Sequence, residues 1–160
     1  MSICRNEWQD LRRVRLDSLL DAPEAFSVSY QDALDYTQND WEIRASQDGE
    51  PRFFIAYQDE KPVGLVGGIF SNQEYELISM WVSPAYRALG VARLLVNRLK
   101  EHATSENHIR IVLKVSSDNK VARGFYSKYG FKNVDSVLKS DCDYDFKLQK
   151  MEFCIRSKKV

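Results

Sequence analysis

The sequence has no excess of charge of either sign. Its 160 residues include 23 lysines and arginines against 23 aspartates and glutamates, and the sequence pI is about 6.7. Proteins that bind nucleic acid or anionic membranes usually present a basic face, which a balanced composition does not favour. We therefore expect neither nucleic acid nor a membrane surface as a partner.

The residues that most often hold metal ions are also scarce. The histidines are His102 and His108, and the three cysteines, Cys4, Cys142 and Cys154, have no C-x-x-C spacing. So few histidines, so far apart, argue against a zinc site and against a histidine-based catalytic triad. The cysteine pattern favours free thiols in a reducing compartment. We expect no metal cofactor.

Long hydrophobic runs are missing as well. The N-terminus lacks the apolar region of a signal peptide, and no run approaches the roughly 20 residues that span a membrane. A hydrophobic content of 44% over 160 residues is enough to build one core. We expect a cytoplasmic protein with a single domain over residues 1–160.

The most informative stretch is residues 75–103, which read as a strand, a tight turn and a helix. An apolar run at residues 77–82 ends at Pro84, and Gly90 then precedes apolar residues at helical spacing. Such a turn presents unpaired backbone N–H groups at the positive end of a helix dipole, where phosphate can bind. Arg87 would add a positive charge. From spacing alone, the alternative is an ordinary turn in which Gly90 relieves strain and Arg87 is solvated.

The flanking segments predict an α/β fold. A very short strand over residues 1–5 precedes a helix capped by Asn6 that ends near Leu20, and a helical region covers residues 23–45. The predicted strands are residues 52–57, 63–70, 75–82, 109–115, 131–138 and 145–155. A further helix begins near residue 116 and ends at Gly130. The first three of these strands form an antiparallel meander, and the helix after Gly90 makes strands 75–82 and 109–115 parallel.

Three glycines interrupt the second strand of the meander, namely Gly64, Gly67 and Gly68. Glycine weakens a strand unless something approaches the backbone closely there. A β-bulge and a closely packed ligand both explain the pattern.

Two motifs resemble those of the GNAT acetyltransferase superfamily. Residues 87–92, R-A-L-G-V-A, match its acetyl-CoA motif [Q/R]-x-x-G-x-[G/A], preceded by the V-x-P of residues 82–84. Downstream, residues 119–131 match N-x-x-A-x-x-x-Y-x-x-x-G-F. There are two departures: Ala88 replaces the glycine that often follows the arginine, and the first strand is shortened. The resemblance implies a mixed, mostly antiparallel twisted sheet with a central parallel pair of strands that splay apart, flanked by helices.

The resemblance also implies acetyl-CoA as co-substrate. In that family, the thioester-bearing arm lies between the splayed strands, and backbone amides of the turn bind the diphosphate. Asn119 would bond the cofactor arm. Carried over onto this sequence, the cofactor-binding residues are Met80, Trp81, Val82, Arg87, Ala88, Leu89, Gly90, Val91, Ala92, Arg93, Asn119, Ala122 and Tyr126.

Acetyl transfer to an amine requires two proton movements, and the resemblance assigns a residue to each. The attacking ammonium, with a pKa near 10, must lose a proton, and the departing thiolate, with a pKa near 8.5, must gain one. Tyr126 matches the family's general acid, although it could instead be an aromatic of the buried helix face. Glu76 is our candidate base. Glu74, Asp32, Asp35 and solvent remain alternatives.

The predicted activity is direct transfer of an acetyl group from acetyl-CoA to a primary amine, of a small molecule or of a protein. A catalytically silent acyl-CoA sensor and a nucleotide-phosphate binder are the competing readings. Eight acidic residues against Arg44 alone between positions 21 and 50 indicate either a solvated acidic surface or one that attracts a cationic amine. Homodimers are common in the family that the chain resembles.

Overall fold

The computed structural model describes residues 5–26, 28–46, 48–139 and 147–155, in which five α-helices and six strands are found. The helices are α1 (Trp8–Asp21), α2 (Tyr30–Leu34), α3 (Gln38–Ala45), α4 (Val91–Ser105) and α5 (Lys120–Lys128). The strands are β1 (Arg52–Gln58), β2 (Lys61–Ser71), β3 (Glu74–Val82), β4 (Arg110–Ser116), β5 (Lys132–Lys139) and β6 (Lys147–Cys154). In this part of the chain, no helix is long and apolar enough to cross a membrane.

The N-terminus differs from its prediction. Asn6 does not cap α1, because it lies inside a 3₁₀ turn at Arg5–Glu7, and the residue before the helix, Glu7, makes no side-chain capping bond. Residues 1–4 of the predicted first strand lie outside the described residues, as do Cys4, Cys142 and positions 145–146 of the predicted last strand. The predicted helical region at 23–45 is a 3₁₀ turn followed by α2 and α3.

The six strands form one mixed sheet in the order β1-β2-β3-β4-β6-β5. All neighbours are antiparallel except β3 and β4, which α4 connects and which run parallel. This topology confirms the predicted fold class, including the opening meander and the central parallel pair.

The parallel pair separates soon after it forms. Only Tyr75 with Ile111 and Glu76 with Val112 are in register between β3 and β4. Beyond Glu76, β3 keeps β2 as its hydrogen-bonded neighbour, and β4 keeps β6. The two strands therefore leave a gap in the middle of the sheet, as the predicted splay requires.

Side-chain packing explains the glycines of β2. A Cβ on Gly68 would overlap the Tyr75 hydroxyl, and a Cβ on Gly64 would lie 3.0 Å from Leu95 Cδ1 of α4. The glycines thus allow neighbouring protein side chains, rather than a ligand, to approach the strand. An irregular register does occur between Leu65 and Gly67, opposite a stretch of β3 in which Ser79 has a φ of 57°.

Helices cover both faces of the sheet. Because successive strand residues point to opposite faces, Phe54 belongs to the core under α4 and α5, whereas Phe53 and Ile55 belong to the core under α1–α3. On the α1–α3 side, Leu11, Val14 and Leu19 of α1 are buried, so the predicted amphipathic face is confirmed. The first three helices are thereby held against the same sheet that carries the gap.

Candidate active site

A cavity of about 1230 Å³ opens where β3 and β4 separate. One side is formed by the strands themselves, from Glu76 to Met80 and from Leu113 to Ser116, together with the start of α5. The opposite side is formed by α1, α3 and the segment between α1 and α2. The cavity therefore joins the gap in the sheet to the N-terminal helices.

Tyr126 lines this cavity from α5 and is 7% exposed. Its ring packs edge-on against Phe125 and Phe131, with centroids 5.3 and 5.6 Å away. Burial raises the pKa of the Tyr126 phenol above its ordinary value of 10, because the charged phenolate loses its hydration. The hydroxyl therefore stays protonated at neutral pH.

Glu76 lines the same cavity as Tyr126, so the two predicted catalytic residues share one site. Glu76 is the last residue of β3 in register with β4 and stands at the point where the strands separate. The alternative base Glu74 is already paired, since it accepts from Lys150 Nζ at 2.7 Å and from Arg110 Nη2 at 3.1 Å. Of these two glutamates, Glu76 is the one on the cavity wall.

The three predicted binding residues of β3 divide into two groups. Met80 lines the cavity. Trp81 and Val82 are buried and pair with β2, Trp81 Nε1 donates to Asp21 at 2.9 Å, and the Val82 carbonyl accepts from Arg87 Nε at 3.0 Å. The cavity wall at this end of β3 is therefore Met80 and the residues before it.

The turn before α4 carries the backbone geometry that the motif needs. Gly90 immediately precedes the helix with a φ of 84°, and Ala88 has a φ of 62°. Both values lie in the left-handed region, which glycine adopts readily and alanine does not. The structure thus gives a physical reason why glycine often occupies the position of Ala88.

The N–H groups of this turn point to an anion site. Within the described part of the chain, no bond is made by the amides of Ala88, Leu89, Gly90, Val91, Ala92 and Arg93. The first internal bond of α4 runs from Leu94 N to Gly90 O at 3.2 Å. These amides lie at the N-terminus of a 15-residue helix, where the helix dipole favours an anion.

The Arg87 side chain is bonded within the protein. Its guanidinium pairs with Asp21 at the end of α1, and its own amide donates to Pro84 O at 3.3 Å. Asp21 also accepts from Trp81, so this carboxylate ties α1 to both β3 and the turn. Within the described residues, the free amides of the predicted cradle at 87–93 start at Ala88, and the Arg87 side chain bonds both α1 and β3.

Asn119 and Ala122 both line the cavity, but they also bond each other. Asn119 Oδ1 accepts from Ala122 N at 3.1 Å and caps α5. One of the two lone pairs of this oxygen is thus used within the protein. The other lone pair and the amide nitrogen of Asn119 can still bond a ligand.

Sequence reasoning missed the opposite wall of the cavity. Arg15, Tyr36, Trp41 and Arg44 line it, together with Phe26. One signal was present, because Arg15 falls on the apolar face of α1 beside Val14, where a charged residue is unusual unless it has a use. Nothing in the sequence indicated that Arg44 would lie at the same cavity.

The sequence profile of the acetyltransferase (GNAT) family matches residues 10–131. The chain belongs to the GNAT acetyltransferase family. An uncharacterised N-acetyltransferase of Methanocaldococcus jannaschii is 27% identical over 143 residues, and the match covers 79% of this chain. The chain spans only 62% of the length of that curated relative.

Solved structures of the family share the fold. The GNAT acetyltransferase of Streptococcus pneumoniae superimposes with a TM-score of 0.79 at 20% identity, covering 98% of both chains. PaiA N-acetyltransferase of Thermoplasma acidophilum, solved with coenzyme A, gives a TM-score of 0.71 at 18% identity and covers 97% of both. The resemblance and the fold class predicted from sequence are thus confirmed.

Proposed function

We propose that this GNAT chain transfers the acetyl group of acetyl-CoA directly to a primary amine. The observation that carries the proposal is the cavity between β3 and β4, which has Tyr126 and Glu76 in its wall. Family membership and the coenzyme A complex of a structural relative support acetyl-CoA as the co-substrate. The acceptor is an amine because the family is one of N-acetyltransferases.

The described residues fit this co-substrate. The free amides from Ala88 to Arg93 suit a diphosphate, since they offer donors at the positive end of α4. Between β3 and β4, backbone groups beyond Glu76 are not used in pairing the two strands, so a pantetheine arm would bond them as an added strand would. Backbone N–H near Met80 would stabilise negative charge on the thioester oxygen.

Two side chains would handle the protons. Bound acetyl-CoA supplies an activated acetyl group whose carbon–sulfur bond is exchanged for a carbon–nitrogen bond. Glu76, directly or through water, would accept the proton that the ammonium must lose before attack. Tyr126 would donate its hydroxyl proton to the departing sulfur and recover one from the nitrogen, so that it ends the cycle protonated. One proton leaves to solvent in each turnover.

The discriminating experiment removes the Tyr126 hydroxyl alone. We expect Tyr126→Phe to lower kcat by about 10² to 10⁴-fold, the range typical of positioned proton transfer, while the Kd for acetyl-CoA is retained. Coenzyme A release over a panel of primary amines measures turnover, and calorimetric titration measures Kd.

Tyr129→Phe is the matched control. Tyr129 directly follows α5 and is not among the described residues that line the cavity. It should leave kcat unchanged. A silent acyl-CoA sensor would bind the cofactor and release no coenzyme A even before mutation. That outcome would contradict the proposed activity while leaving cofactor binding intact.

A further inference from the structure

The wall opposite Tyr126 is built from basic and aromatic side chains. We call it the basic wall and define it as Arg15, Phe26, Tyr36, Trp41 and Arg44, all of which line the same cavity as Glu76 and Tyr126. These residues come from α1, from α3 and from the segments before and after α2. Four separate parts of the N-terminal region thus converge on one surface of the cavity.

Two hydrogen-bond donors of the basic wall are buried and have no partner among the described residues. Within the described part of the chain, Arg15 Nη1 and Trp41 Nε1 are fully shielded and bonded to nothing. The Trp41 side chain as a whole is only 2% exposed. A buried donor that lacks an acceptor is costly, and such groups call for an explanation when they occur at a cavity. Both groups are donors, so the missing partner is an acceptor.

The two arginines of the wall are held by aromatic rings rather than by carboxylates. The Arg15 guanidinium lies 4.7 Å from the centroid of Phe26, and that of Arg44 lies 4.0 Å from the centroid of Tyr36. Arg44 Nη1 also donates to the Asp40 carbonyl at 3.1 Å. In the part of the chain that the structure describes, neither guanidinium forms an ion pair.

The charges around the cavity leave this wall positive. Of the eight acidic residues between positions 21 and 50, all of them described, only Glu24 lines the cavity. Among the described residues that line the cavity, the second carboxylate is Glu76. The same lining carries three cations, Arg15, Arg44 and Lys114. Burial lowers the pKa of Arg15, with Tyr36 opposing the effect, which indicates a cation that has lost hydration. A partly buried cation that has no counter-ion within the described residues favours an anionic ligand.

We propose that the acceptor is an α-amino acid with an apolar or aromatic side chain, whose carboxylate binds Arg15 and Arg44. This inference rests on the proposed acetyltransferase activity and names its acceptor class. The carboxylate pairs with the two guanidinium groups, which form no ion pair within the described residues, and the rings of Phe26 and Tyr36 contact the side chain. The amine then lies toward the Glu76 and Tyr126 side of the cavity. The acidic surface that would have attracted a purely cationic amine is not on this wall.

Matched pairs of acceptors test the proposal. L-Phenylalanine, L-leucine, L-methionine and L-tryptophan are each compared with their carboxamides, which keep the amine and side chain but lose the negative charge. We expect at least one acid to be acetylated with a kcat/KM about 10- to 100-fold above that of its amide. The amides have the less basic and more readily deprotonated amine, so intrinsic reactivity works against this result.

Variants of the wall assign the preference to its arginines. Arg15→Gln should reduce the ratio of kcat/KM for the acid to kcat/KM for its amide toward one. Arg44→Gln should lower this ratio in the same direction. In both variants the Kd for acetyl-CoA should stay as in the wild type. Arg13→Gln is the matched control, since Arg13 is an exposed residue of the same helix. Circular dichroism and thermal unfolding establish that each variant is folded, and Arg44→Gln serves if Arg15→Gln does not fold.

Failure of this inference is distinguishable from failure of the proposed activity. If acetyl-CoA binds and amides are acetylated as well as acids, or if both arginine variants keep the preference, the acceptor assignment is overturned. If no pair is turned over, binding of the four acids to the coenzyme A complex is measured by saturation-transfer NMR. Binding that is lost in Arg15→Gln supports the assignment, and absence of binding by all four acids overturns it. An absence of acetyl-CoA binding instead refutes the proposed activity.

Discussion

Among single residues, Asp21 links α1 to β3 and to the turn before α4. Its carboxylate accepts from the Trp81 indole and pairs with Arg87, which in turn bonds the last carbonyl of β3. The motif arginine is therefore used to hold the turn against α1 and β3. One carboxylate thereby couples the helix that carries Arg15 to the turn whose amides would bind diphosphate.

This coupling predicts a pH dependence of stability. The hydrogen bond from Trp81, and then that from Arg87, hold the pKa of Asp21 below its ordinary value of 3.8. A carboxyl group with a depressed pKa stabilises the fold above the unfolded-state pKa, and this contribution is lost as the pH falls through the folded-state pKa. At pH 7, Asp21→Asn should lower the free energy of unfolding by about 1 kcal/mol, and the difference from wild type should shrink below pH 4.

Urea unfolding between pH 7 and pH 3 measures this difference. Asp17→Asn, one turn earlier on α1, is the control, because Asp17 is exposed and forms no ion pair within the described residues. It should follow the wild type at every pH. An Asp21→Asn protein that is as stable as the wild type at pH 7 would show that the carboxylate does not hold these elements together.

Among the elements, the turn into α4 combines two requirements in a few residues. The proposed diphosphate site needs free N–H groups, and the turn must also reverse the chain, which it does through the positive φ values of Ala88 and Gly90. Space is not the constraint at Gly90, since a Cβ there would meet no atom within 4 Å. Among contacts within the protein, it is the backbone conformation that favours glycine at this position.

A pair of glycine variants tests that statement. Gly90→Ala should lower the free energy of unfolding by about 1 kcal/mol, because alanine is strained at a φ of 84°. Gly124→Ala, in the interior of α5 and equally open, should raise it by about 0.5–1 kcal/mol, since alanine is the better helix former. Chemical denaturation in urea measures both. If the two substitutions changed the free energy of unfolding equally, local backbone conformation would not be what decides their effect on stability.

At the scale of the whole molecule, the sequence predicts those parts whose signals are local. Proline and glycine bound the turn at residues 84–90, alternating apolar residues mark the strands, and a helix between two strands requires that they be parallel. The two motifs place Tyr126 on α5, Asn119 at the N-cap of that helix and the free amides on the turn. Each of these inferences needs only residues that are close in the chain.

The remaining features depend on residues distant in sequence. Arg15 and Arg44 reach one cavity because α1 and α3 pack on the same face of the sheet, and no pattern within either helix specifies that packing. The Arg87 guanidinium pairs with Asp21, which is likewise distant in sequence. The glycines of β2 are explained by Tyr75 and Leu95, which come from β3 and α4. Tertiary contacts therefore decide which motif side chains are available to a ligand.

The central claim is that the gap between β3 and β4 and the adjoining turn together bind acetyl-CoA. The most direct test is calorimetric titration of the purified protein with acetyl-CoA, and with ADP under the same conditions. We predict saturable binding of one acetyl-CoA per chain with a Kd on the order of micromolar, and much weaker binding of ADP, which has the diphosphate but lacks the arm that enters the gap. No measurable binding of acetyl-CoA, or equal affinity for ADP, would contradict the account.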